Sequence, residues 1–187
     1  MKRIFHICPV VALLLAGAPP TLRSQADAQS AMVAVLLAPW ATESVDSLLV
    51  SPIPLPPDTD MVMTMAHAFD ASVHAISDDY PGDSAFAQAW VEYAHPGPGN
   101  LELDIPTIGA QLARPVSMRT DPPPARQGQE AWLWMAFSKA GFSRDSSVGI
   151  IRRVYWCGTE CGGSDIVVFR QQNGNWTVDH AYQGWRS

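Results

Sequence analysis

Asn173-Gly174 constrains this chain most, because it stands between two short runs of strand-forming residues, 166–169 and 176–182. Asn and Gly accept the positive φ angles that both centres of a type I′ turn demand, so the pair predicts a two-residue β-hairpin. With these two at the turn, Gln172 faces Asn175, Phe169 faces Val178 and Val167 faces His180. Side chains alternate along a strand. This register therefore puts Phe169, Val167, Trp176, Val178, His180 and Tyr182 on one face, and Arg170, Thr177, Val168 and Asp179 on the other. The first set is the expected core face. Upstream, residues 148–156 are β-branched and aromatic and 157–164 make a glycine-containing turn, so three consecutive antiparallel strands are expected over about 147–185.

Proline breaks up the rest of the chain, at Pro52-Ile53-Pro54-Leu55-Pro56-Pro57, at His95-Pro96-Gly97-Pro98-Gly99 and at Pro122-Pro123-Pro124. These runs forbid regular helix and are too short to be linkers of any reach, so they read as loops within one domain. Between them, Ser30 is placed to cap an apolar helix over 31–38. Asp83 or Ser84 is placed to cap a second, in which Phe86, Ala89, Trp90 and Tyr93 fall at i, i+3, i+4 and i+7 on one face. Residues 101–105 alternate like a short strand, while 61–69 and 131–138 fit helix or strand equally well. The apolar face of the sheet must be covered, so the expected fold class is α+β, with helices packed on a C-terminal antiparallel sheet. That layout is similar to cystatin-like or NTF2-like folds, an analogy that carries no function.

Residues 1–28 read as a cleavable signal peptide. Lys2 and Arg3 form a basic start, residues 7–15 are apolar, and Pro19-Pro20 end any helix. Ala26-Asp27-Ala28 is then a small-x-small cleavage signal, with Gln29 as the new N-terminus. The apolar run is shorter than the roughly 20 residues of a membrane span, so no transmembrane segment is expected after cleavage. Residues 29–187 remain as a single domain. The leader holds three of the twelve basic and one of the eighteen acidic residues, which leaves nine against seventeen and a net charge near −8. Binding a phosphate backbone needs clustered positive charge. The densest basic pair, Arg152-Arg153, sits inside an expected strand, so nucleic acid is not an expected partner.

Cys157 and Cys161 stay with the exported domain, and an even count outside the cytosol predicts a disulfide. Redox enzymes usually place C-x-x-C at a helix N-terminus; this pair has one residue more and sits in a hairpin loop. Two thiols with Glu160 and no nearby His make a poor zinc set. His67, Asp70 and His74 are poorly spaced for one ion, since the histidines fall about 10 Å apart along a helix and on opposite sides of a strand. Asp78-Asp79-Tyr80-Pro81-Gly82-Asp83 lacks the alternating ligands of a calcium loop and reads as a turn into the second helix. No metal or cofactor is expected. His180, on the expected core face with Asp165 or Tyr182 as a partner, is the candidate general base. The serines have no G-x-S-x-G setting, and some of the seven tryptophans can line an apolar groove.

Four segments occur in a telling order: Phe137-Ser138-Lys139-Ala140-Gly141-Phe142-Ser143-Arg144-Asp145, then Tyr155-Trp156-Cys157-Gly158 with Cys161-Gly162-Gly163, then Asn173-Gly174-Asn175-Trp176, and the closing Trp185-Arg186-Ser187. Together they resemble the C-terminal half of a group of uncharacterised bacterial exported proteins. The cysteine loop departs from that group's pattern by holding three residues rather than two between its cysteines. The resemblance implies a bacterial periplasmic or secreted protein and carries over no activity, cofactor or catalytic residue. The expected function is a non-enzymatic binding or envelope-associated domain, its partner a small molecule or an envelope protein. The alternative is an exported hydrolase using His180 with a carboxylate.

Overall fold

The computed structural model describes residues 22–41, 45–55, 79–96, 103–123, 132–157 and 161–186. Within them, three α-helices accompany seven strands. The helices are α1 (Leu22–Leu37), α2 (Ser84–Ala94) and α3 (Ile105–Leu112). The strands are β1 (Ser47–Val50), β2 (Val116–Met118), β3 (Trp132–Phe137), β4 (Gly141–Phe142), β5 (Val148–Trp156), β6 (Gly162–Gln172) and β7 (Asn175–Arg186). They form one mixed sheet in the order β2-β1-β3-β5-β6-β7, with β4 paired to β5. The fold is α+β. β1 lies parallel to both β2 and β3, and the other strand pairings are antiparallel.

The C-terminal unit forms as its local chemistry dictates. Asn173 and Gly174 take φ of 52° and 80°, the two positive values of a type I′ turn. Gln172 pairs with Asn175 and Phe169 with Val178, in the expected register. A β-bulge then intervenes: Asp179 is an extra residue on β7, so Val168 faces His180, Val167 faces Ala181 and Ile166 faces Tyr182. One inserted residue turns every later side chain to the opposite face. His180 and Tyr182 therefore do not share a face with Val167 and Phe169, as the uniform register had them. They lie on the side of Ile166 and Val168, and His180 is exposed.

Both faces of the sheet are covered, where a single core face was expected. On the first, Met32, Val33, Leu36 and Leu37 of α1 and Ile105 and Ile108 of α3 pack with Leu48, Val50, Leu133, Met135, Phe137, Ile151, Val167 and Phe169. On the second, Phe86 and Ala89 of α2 pack with Val148, Ile150, Ile166 and Val168, flanked by Trp90, Tyr93, Tyr80 and Tyr182. The sequence signal was there to read. Ile150-Ile151 and Ile166-Val167-Val168-Phe169 are continuous apolar runs, the pattern of strands buried on both sides, rather than alternating ones.

The helices show where local rules hold and where they fail. Asp83 caps α2, accepting from the Phe86 N–H at 2.9 Å, and Phe86, Ala89, Trp90 and Tyr93 form its inner face as expected. Residues 79–83 make the turn before it, with Gly82 at φ 77°. α1 is longer than its apolar stretch. It begins at Leu22 and runs through the Ala28–Gln29 bond, so Ser30 lies within it and is no cap. The Ser30 hydroxyl is buried and accepts from the Asp104 N–H at 3.1 Å, tying α1 to the start of α3. At Ile105 the expected short strand gives way to α3, because Asp104 caps it through the Thr107 N–H at 3.1 Å and Pro106 suits its first turn. Residues 132–137 resolve as strand, lodged between β1 and β5. The stretch 61–69 lies outside the described residues.

Candidate functional site

The bulge at Asp179 decides the fate of the expected acid–base pair. His180 stands on the α2 side of the sheet, its ring 4.3 Å from that of Tyr182. The Tyr182 hydroxyl donates to Asp79 at 2.7 Å. Asp165 stands on the other side, next to Val167, and is 2% exposed. His180 and Asp165 are not brought together. One Asp165 oxygen accepts from Nε of Arg153 at 3.1 Å and from its Nη2, and the other accepts from Nη2 of Arg186. The two guanidinium groups also lie over the Tyr155 ring, at 5.4 and 5.5 Å from its centroid, and Trp40 packs against the same ring at 5.7 Å. Gly163 makes room for this centre, since a Cβ there would come within 2.7 Å of both the Tyr155 hydroxyl and Arg186 Nη1. With each carboxylate oxygen already held by a guanidinium, the geometry suits a fixed ionic strut rather than a proton acceptor.

A second polar network joins α2 to the β6–β7 hairpin on the opposite face. Arg170 bonds Asp83 at 2.5 Å and Asp179 at 3.2 Å, and lies over the Tyr80 ring at 5.5 Å. Tyr80 donates to Asp179 at 2.8 Å. Burial first, and then the adjacent carboxylate, push the Tyr80 and Tyr182 hydroxyls well above the ordinary tyrosine value, so both are donors at any physiological pH. Burial alone pushes Tyr93, on the inner face of α2, up to about 12. The Phe86 N–H holds the Asp83 carboxyl below its ordinary range, burial opposes this, and Arg170 lowers it further.

The cysteines come together as expected. Cys157 and Cys161 form a disulfide with their α-carbons 5.0 Å apart, and the Cys157 N–H donates to the Cys161 carbonyl at 2.9 Å. This closes the connection between β5 and β6. Among the described residues, no three His, Cys, Asp or Glu side chains are grouped to hold a metal ion. His67, Asp70, His74 and Asp78 lie outside them.

Sequence reasoning missed a concave feature on the first face. A groove of about 500 Å³ opens between α3 and β2, lined by Ile105, Pro106, Gly109, Arg114, Pro115, Val116 and Met118. Its walls are mostly apolar. Arg114 is anchored beside it by donating to the Val45 carbonyl. The Asp104-Ile105-Pro106 cap signal could have revealed α3, but no local pattern marks three residues as β2 or places them beside that helix. Comparison of the chain with protein-family models, with curated proteins and with solved structures finds no match in any of the three.

Proposed function

We propose that this chain is an exported, non-enzymatic binding domain, bacterial and periplasmic or secreted, which takes an apolar group of a small molecule or envelope partner in the α3–β2 groove. The observation that carries the reading is the groove: an open concavity of about 500 Å³ with mostly apolar walls between a helix and a strand. A hydrolase using His180 with Asp165 would need side chains that lie on opposite faces of the sheet.

Export is supported by the leader pattern and by the disulfide, a bond that persists in oxidising compartments. The buried part of α1 agrees with cleavage after Ala28. Gln29, Ser30, Met32, Val33, Ala34, Leu36 and Leu37 are buried, whereas residues 25–28 are exposed or half-buried. Removing the leader would therefore spare the fully buried contacts and cost only the packing of half-buried Ala28 against the core. No helix among the described residues is long and apolar enough to cross a membrane.

Titration with the apolar fluorophore 1-anilinonaphthalene-8-sulfonate tests the groove. The exported protein should give saturable enhancement. Met118→Asp, at a residue 60% exposed and therefore tolerant of change, should weaken it about tenfold, or ~1.4 kcal/mol. Equal affinity in a folded Met118→Asp protein would remove the groove as the site.

A further inference from the structure

We propose that Gln29, once leader cleavage makes it the N-terminal residue, is kept in its open amide form by the fold, so that an uncyclised N-terminus belongs to the folded protein. The inference rests on the cleavage after Ala28 argued above. An N-terminal glutamine closes when its α-amino nitrogen attacks its own Cδ. The N–Cδ bond forms, the Cδ–Nε2 bond breaks, and Nε2 leaves as ammonia carrying a proton from the amine, so no oxidant or co-reactant is needed. Ring closure requires Cδ to swing back onto the backbone nitrogen of the same residue.

The Gln29 side chain is directed elsewhere and held there. Nε2 donates to the Ser138 carbonyl at 3.2 Å, and Oε1 accepts from the Ala140 N–H at 3.1 Å. In the uncleaved chain the residue is 0% exposed. Both bonds join residues more than a hundred positions apart, so they exist only after β3 and β4 have assembled against α1. Cyclisation would delete Nε2 as a donor and draw Oε1 away from Ala140, leaving a buried carbonyl and a buried N–H without their partner. It would also remove a positive charge from a helix N-terminus, which is favourable, but leaving two buried polar groups unpaired costs more. Folding and ring closure thus compete for the same amide.

The test uses the full chain, expressed with its leader and recovered from the periplasm or medium. Intact mass and N-terminal fragmentation should show a chain starting at open Gln29 that stays open on prolonged incubation at neutral pH. The same sample in guanidinium chloride should lose about 17 Da, the mass of ammonia, at a rate that follows the unfolded fraction across a denaturant series. A folded protein already cyclised, or one that cyclises equally fast folded and unfolded, overturns the proposal. A chain starting elsewhere overturns it too, and is told apart because the mass then differs by whole residues rather than by ammonia.

Discussion

Asp165 and Asp83 are both carboxylates bonded to arginine, on opposite faces of one sheet, and they do different work because of where they sit. Asp165 is 3% exposed in its side chain and lies between two guanidinium groups on the α1 face. Asp83 is 24% exposed, shares Arg170 with Asp179 and also caps a helix. In the first case removing one partner leaves buried charge uncompensated; in the second water takes over most of what is lost. The α2 face therefore cannot depend chiefly on its polar network. A backbone contact shows what it depends on: a Cβ on Gly141 would come 2.2 Å from the Ala89 carbonyl and 2.3 Å from the Tyr93 N, so β4 and α2 touch main chain to main chain.

Three substitutions sharpen this contrast. Asp165→Ala should have the largest effect, about 3 kcal/mol in denaturant unfolding, because Arg153, 14% exposed, loses its counter-ion in a buried setting, whereas Arg186, 36% exposed, is compensated by water. A loss under about 1 kcal/mol would mean that water reaches this centre, on the scale of exposed pairs. Gly141→Ala should cost roughly 1–3 kcal/mol, because backbone on both sides must move to admit a methyl group; near-ultraviolet circular dichroism, to which Trp90 and Tyr93 contribute, should report the displaced helix. An unchanged spectrum and midpoint would show that α2 is not seated on Gly141. Asp83→Ala should be smallest, about 1 kcal/mol from the lost cap. Its folded-state carboxyl titrates below the ordinary 3.8, so the stabilisation is present above that value and is lost as pH falls through the lower folded value. The gap between wild type and Asp83→Ala should accordingly be full at neutral pH and close under acid; a gap that persists there would assign the effect to packing.

Some of the candidate site could be read before any coordinates, and the rest depended on contacts between distant segments. His180 was legible as a polar residue in a predictable hairpin, yet its face was not, because a single bulge at Asp179 reverses it. The bulge coincides with Asp179 reaching Arg170 and Tyr80, and Tyr80 is 99 residues away in the chain. The α3–β2 groove was illegible for a related reason. Residues 116–118 become a strand only because β1 offers them a parallel edge, and Ser47–Val50 becomes a strand only between β2 and β3.

What the sequence by itself determined is what neighbouring residues settle among themselves. The type I′ turn at Asn173-Gly174, the capped and amphipathic α2, and the five-residue disulfide loop all arise from interactions spanning a few positions, and the three antiparallel strands join segments adjacent in the chain, which turn, cap and period rules describe. Tertiary structure alone decided which faces those elements buried. The parallel insertion of β1, the seat of Gln29 against Ser138 and Ala140, the pairing of Asp165 with two arginines and the reversal of His180 each need partners far apart in the chain. Such contacts are selected by the packing of the whole core, in which a one-residue shift of register exchanges one face for the other.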